Sequence, residues 1–227
     1  MSTFAESLDS LWAVQKHDKQ LVREQERIAK TSRELASVQS KLDAAQQSLD
    51  GERDKLRQLK NQHKELEGEL QRLDARVKQL EAQGTEKGTE AATKQRDKID
   101  EMETQGLELL SQISEQELAV EAADGVVRQR ADALAEASAA AKAVTDAAQQ
   151  VIEKAAADRA EAAKLVVPEL LTVYDEVNAR HRGDVLCHIE GEFCAGCQGE
   201  LNSQLTMQVR SRQEILRCPN CSRILDA

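Results

Sequence analysis

From Leu35 onward the apolar residues recur in alternating steps of three and four. The series runs Leu35, Val38, Leu42, Ala45, Leu49, Glu52, Leu56, Leu59, His63, Leu66, Leu70, Leu73, Val77 and Leu80, with only Glu52 and His63 polar. That spacing keeps one narrow stripe on one side of an α-helix, the seam along which two helices pack. The register reaches back through Ile28 and Leu21 to Val14, and Thr3 followed by Glu6 is the capping box expected at the helix start. Residues 83–92 then break the pattern. Gly84 and Gly88 mark a turn, and Thr89 is the expected cap of the next helix. A second seam begins at Ile99 and Met102 and continues through Leu109, Ile113, Val120, Ala123, Val127, Leu134, Ala137, Ala141, Val144, Ala148, Val151, Ala155 and Ala162 to Leu165. Gly106, Gln116, Arg130 and Asp158 interrupt it.

Two helical segments of matched length on either side of a glycine turn predict an antiparallel hairpin, in which facing residue numbers sum to about 174–176. Gly68 then comes level with Gly106 and Gly51 with Gly125, either as bends or as tolerated surface glycines. Pro168 starts a further short helix over 168–180, because its missing N–H costs nothing in a first turn. The expected compact core joins Phe4, Leu8 and Trp12 to Leu170, Leu171 and Tyr174, with Phe193 a further candidate. The predicted fold is mainly α: a coiled-coil hairpin over 1–167, a short helix and neck over 168–186, and a small C-terminal module over 187–227.

Composition sharpens this picture. The 227 residues are 40% hydrophobic and 32% charged but only 2% aromatic, which excludes an α/β enzyme with a large buried core. Net charge is −10, from 31 Lys+Arg against 41 Asp+Glu, which disfavours a general polyanion binder. The sequence contains no apolar run long enough to span a membrane, and its first twenty residues lack the apolar block of a secretory signal. A cytoplasmic protein is expected, and in a reducing compartment spaced cysteines point to metal.

The chemistry sits at the C-terminal end. Cys194-Ala-Gly-Cys197 and Cys218-Pro-Asn-Cys221 are two Cys-x-x-Cys turns, each aiming two thiolates at one ion. Together they supply the four-sulfur set of a structural zinc ribbon. A module of about forty residues needs such a staple to stay folded. Rubredoxin-like sites hold iron with the same spacing, but nothing else in the sequence points to electron transfer, and zinc is the expected ion. Four protein ligands leave no open coordination position, so the ion is read as structural. Cys187, flanked by Val185, Leu186 and Ile189, reads as a packed strand residue, and a completed four-cysteine site leaves His188 no ligand role. Neither a phosphate-binding loop nor a Ser/His/Asp or Cys/His constellation is present, and the chain is expected not to be an enzyme. Arg210, Arg212, Arg217 and Arg223 cluster around the second knuckle, either as solubilising charge or as contacts to nucleic acid or a partner.

A long hairpin, the helix Leu170-Leu171-Thr172-Val173-Tyr174-Asp175-Glu176-Val177, the paired knuckles and a terminal Arg223-Ile224-Leu225 together resemble bacterial coiled-coil hairpin proteins ending in a four-cysteine zinc ribbon. The resemblance implies zinc ligation by Cys194, Cys197, Cys218 and Cys221. It also implies a regulatory or adaptor role toward an alternative sigma factor, components of flagellar or type III export machinery, or messenger RNA. This chain departs from the family at Ser222, where members usually have Gly, and at Asp226, where an aromatic residue is common. The expected function is a non-enzymatic regulatory adaptor that binds protein partners through ribbon and arm. The alternatives are an RNA- or DNA-binding ribbon using the arginines, and a purely structural spacer. A monomeric hairpin or a dimer of hairpins is the expected assembly.

Overall fold

The computed structural model describes residues 4–227. Thr3 of the expected capping box lies outside the described residues. The elements are α1 (Phe4–Ala82), α2 (Glu86–Ala163), α3 (Pro168–His181), β1 (Leu186–Glu190), β2 (Phe193–Cys194), α4 (Ser203–Ser211) and β3 (Ile224–Asp226). The chain divides into two compact units, one formed by residues through Glu34 together with Ala139–Ala227, the other by Leu35–Ser138. No helix among the described residues is long and apolar enough to cross a membrane.

Within Leu35–Ser138 the seam is as the pattern predicts. Every seam position from Leu35 to Leu80 is buried or half-buried, and the residues between them, Gly68 apart, are exposed. The polar interruptions meet each other. Gln116 donates to the Glu52 carboxylate at 2.5 Å and to the Glu52 carbonyl at 3.1 Å, so each polar side chain satisfies the break in the opposite seam. Arg53 pairs with Asp124 and Lys60 with Glu117 across the helices, close to the expected register. Both helices continue through Gly51, Gly68, Gly106 and Gly125, and a side chain at Gly51, Gly68 or Gly125 would meet open space.

The turn is tighter than the glycine spacing suggests. It spans 83–85, and α2 is capped by Thr85, whose hydroxyl accepts the Gly88 N–H at 3.1 Å. Thr89 is already inside the helix, its hydroxyl donating back to the Thr85 carbonyl. Gly84 takes φ +62, the left-handed close expected after a helix end. Gly88 serves close approach: a Cβ there would lie 2.9 Å from the Thr85 hydroxyl and 3.0 Å from the Leu80 carbonyl.

In the other unit the aromatic core forms as expected, except at one position. Leu8, Leu11, Val14, Val166, Leu170 and Tyr174 are buried together, with Phe4, Trp12 and Leu171 packed against them. Phe193 is not part of it. It sits at 47% exposure on the short strand β2, with its side chain on the open face of the sheet. Leu165 is likewise exposed, at 62%, because α2 ends at Ala163 and the seam spacing no longer applies in the following turn; Val166 is buried instead. Asp18, buried on α1, accepts hydrogen bonds from Tyr174 at 2.8 Å and Arg159 at 2.7 Å, joining α1, α2 and α3. Burial first, and then the adjacent Asp18 carboxylate, holds the Tyr174 phenol far above its usual range, so it stays a donor.

The C-terminal strands form a three-stranded sheet in the order β2-β1-β3, β2 antiparallel and β3 parallel to β1. Gln15 of α1 attaches the start of β1. Its side-chain oxygen accepts the N–H groups of Val185 and Leu186, and its amide donates to the Leu186 carbonyl at 3.0 Å.

Candidate metal centre

Each Cys-x-x-Cys turn is built by the same backbone device. The residue after the second cysteine takes a left-handed conformation, Gln198 at φ 57 and Ser222 at φ 62. Its N–H then reaches back to the carbonyl of the first cysteine, Gln198 to Cys194 at 2.8 Å and Ser222 to Cys218 at 2.9 Å. The first knuckle is further pinned by Cys194 N–H to Gly199 and Ala195 N–H to His188, and the second by Cys218 N–H to Arg223. These bonds close the loops so tightly that both cysteines of each pair point inward. Ser222 thus occupies a position where glycine has no Cβ penalty, which is the physical content of its departure from the family pattern.

The four sulfur atoms lie within 4.8 Å of one another. Across the knuckles, Cys194 Sγ is 3.8 Å from Cys221 Sγ and Cys197 Sγ is 3.7 Å from Cys218 Sγ. A tetrahedron of thiolates around zinc with bonds of about 2.3 Å has edges of about 3.8 Å. The spacing therefore fits zinc, and Cys194, Cys197, Cys218 and Cys221 are the residues that would hold it. Burial, followed by hydrogen bonding to Cys187, pushes the Cys194 thiol up to about 12. Burial likewise pushes Cys218 up to about 12. Cys221 falls to about 7, because the backbone and guanidinium of Arg223 and the neighbouring thiols Cys197 and Cys218 outweigh its burial. Thiols held protonated by burial give up their protons only to a strong local positive charge, which a divalent ion supplies when bound.

The supporting shell comes from several elements. Arg223 donates to the carbonyls of Asp184 and Gly196 and pairs with the Asp184 carboxylate at 2.9 Å, bracing the first knuckle against the neck. His181 of α3 donates through Nε2 to the Cys221 carbonyl at 2.8 Å. Cys187 is buried on β1 with Sγ 3.3 Å from Cys194 Sγ, so the packed strand residue touches a metal ligand directly. His188 stacks on Trp12, with ring centroids 4.4 Å apart and planes 17° from parallel. Asp226 is almost fully buried. It accepts from Trp12 Nε1 at 2.7 Å and Arg212 Nε at 2.9 Å, which accounts for a carboxylate where an aromatic residue is common.

The four arginines do not form one free cluster. Arg212 pairs with Asp226 and Asp9, Arg217 with Glu176, and Arg223 with Asp184. Arg210 is exposed and makes no ion pair among the described residues. Sequence spacing placed these residues near the second knuckle but carried no information about their partners, which lie on other elements. The helix α4 between the knuckles was not expected either. Its signal was present: Asn202 caps it by accepting the Leu205 N–H at 2.7 Å, and Leu205 and Val209 recur one turn apart against the ribbon core.

Residues 194–225 match a family model. The match is to the C4-type zinc ribbon domain. The matched span contains all four cysteines, α4 and the start of β3, so this chain ends in a zinc ribbon whose ion is structural. The whole chain is also similar in fold to three bacterial proteins of known structure. A protein from Mycobacterium smegmatis superposes with a TM-score of 0.81 at 20% identity, covering 100% of both chains. CT398 from Chlamydia trachomatis gives 0.74 at 21% identity over 98% of each chain. The HP0958 protein from Helicobacter pylori gives 0.63 at 15% identity over 97% of each. No curated protein matches the sequence.

Proposed function

We propose that this chain is a non-enzymatic adaptor, whose zinc ribbon and helical arm each present a surface to a protein partner. The observation that carries this reading is the closed site. Four converging thiolates leave no coordination position for a substrate, while Gln15, Trp12 and Arg212 fasten the ribbon to the N-terminal end of α1. An ion used only to hold a small sheet in place serves the surface that the sheet displays. The ribbon also exposes apolar side chains, Phe193 of β2 at 47% and Met207 of α4 at 71%. The pairing of Arg212, Arg217 and Arg223 with carboxylates favours a protein partner over nucleic acid, because paired guanidiniums offer less to a phosphate backbone. The family resemblance points to sigma factors or export components as partners.

The test is affinity capture from the native cell with the intact chain and with Phe193→Ser/Met207→Ser. Both positions are exposed, so the variant is expected to keep its zinc and its fold while losing its main partner. Recovery of the same partners in the same amounts would reject the ribbon as a docking surface.

A further inference from the structure

Between Ile99 and Val127, α2 contains eight acidic residues and no Lys or Arg. Among the described residues only Glu117 and Asp124 are neutralised, by Lys60, Arg53 and Arg128. The other six carboxylates make no ion pair among the described residues. The same stretch holds large apolar side chains left in water: Leu107 at 69% exposure, Leu118 at 64%, Leu110 at 48% and Val126 at 45%. At about 100° per residue, Leu107 and Leu118 fall on the side of the helix away from the seam residues Met102, Leu109 and Val120. Opposite its seam the helix thus carries two exposed leucines about three turns apart, with Ser111 and Ser114 between them. The seam side packs on α1, while Leu107 and Leu118 are uncovered and surrounded by unpaired negative charge.

Exposed leucines on a surface helix cost free energy in water and mark an interaction site when they share a face. The charge around them selects the occupant. A second copy meeting the first through this face would bring like charges together without compensation. A helix with leucines on one side and lysines or arginines flanking them would bury the apolar side chains and pair the carboxylates. We infer that the outward face of α2 around Leu107 and Leu118 docks a basic amphipathic helix of a partner protein. This inference rests on the adaptor reading and specifies its second surface and the chemistry that surface recognises.

The probe is a labelled peptide of leucine and lysine patterned as an amphipathic helix, with a leucine–glutamate peptide of identical apolar face as its counterpart. Binding to the full-length protein is followed by fluorescence anisotropy at physiological salt. The basic peptide is expected to bind and the acidic one not. Leu107→Ser/Leu118→Ser should weaken binding by about tenfold or more, since each leucine contributes more than one factor of ten when fully buried. Leu165→Ser, an exposed leucine in the other unit, should leave it unchanged. A second, milder pair, Leu107→Ala/Leu118→Ala, keeps helix propensity and guards against a folding defect in the first. Equal binding by parent and both double variants would mean charge attraction alone and would overturn the proposal, as would equal binding of the two peptides. Sedimentation showing a dimer that the double variant dissolves would assign the face to a second copy, also overturning it. A chain that loses partners through Phe193 and Met207 yet fails to distinguish the peptides rejects this surface without touching the ribbon reading.

Discussion

Trp12 donates its indole N–H to the Asp226 carboxylate at 2.7 Å, joining the third turn of the chain's first helix to its last strand. Arg212 holds the other side of the same carboxylate and reaches Asp9 on α1, so three elements meet at one nearly buried acid. Asp226→Ala would leave an indole donor and a guanidinium unpaired in a confined space. The expected loss is about 2–3 kcal/mol in denaturant unfolding, with the emission of Trp12, the single tryptophan, shifting to the red as its surroundings hydrate.

Zinc should be stoichiometric and local in effect. One ion per chain is expected by elemental analysis, and Cys218→Ser should abolish it. Because most of the arm's seam lies in Leu35–Ser138, in a different unit from the ribbon, removing the ion should unfold the ribbon while leaving most of the helical circular dichroism intact. A coincident loss of both signals would contradict the separate seam.

Ser222 holds a left-handed backbone that its Cβ disfavours. Ser222→Gly is expected to stabilise the ribbon by roughly 0.5–1 kcal/mol and to slow zinc loss to a chelator. Unchanged chelation kinetics would show that the knuckle carries no such strain.

Gly183 makes the opposite prediction. It sits at φ +86, and a Cβ there would lie 3.0 Å from the backbone nitrogen of Lys19. Gly183→Ala combines backbone strain with a clash against α1 and should cost about 2 kcal/mol or more in thermal or chemical unfolding.

Tyr174 supplies a pH signature. Its ionisation is raised in the folded protein by burial and then by Asp18, so the unfolded chain loses the phenolic proton first as pH rises. Its contribution is therefore complete below about pH 10, the ordinary tyrosine value, and declines above it. Parent and Tyr174→Phe unfolding curves compared at pH 8 and pH 11 should show the alkaline decline to be shallower in the variant. Identical slopes would mean the phenol is not held as described.

The two helices, their seam, the position of the turn and the four converging cysteines were legible in the sequence because each depends on local spacing. A three-four repeat dictates which face is buried, and a Cys-x-x-Cys turn aims its own two sulfurs. The turn's length was less legible, since whether Thr85 or Thr89 caps α2 depends on how closely Leu80 approaches Gly88. The partners of Arg212, Arg217 and Arg223 were not legible at all. Charge composition counts guanidiniums, but only folding brings Asp9, Glu176 and Asp184 beside them.

By itself the sequence determined a hairpin of two helices and a thiolate-held tail, because periodicity and short-range turn chemistry act over a few residues. The tertiary structure alone decided that Asp226 is a buried hub and that Phe193 faces water. Those outcomes depend on which surfaces meet across more than a hundred residues of chain, and burial there is decided by neighbours that no local pattern names.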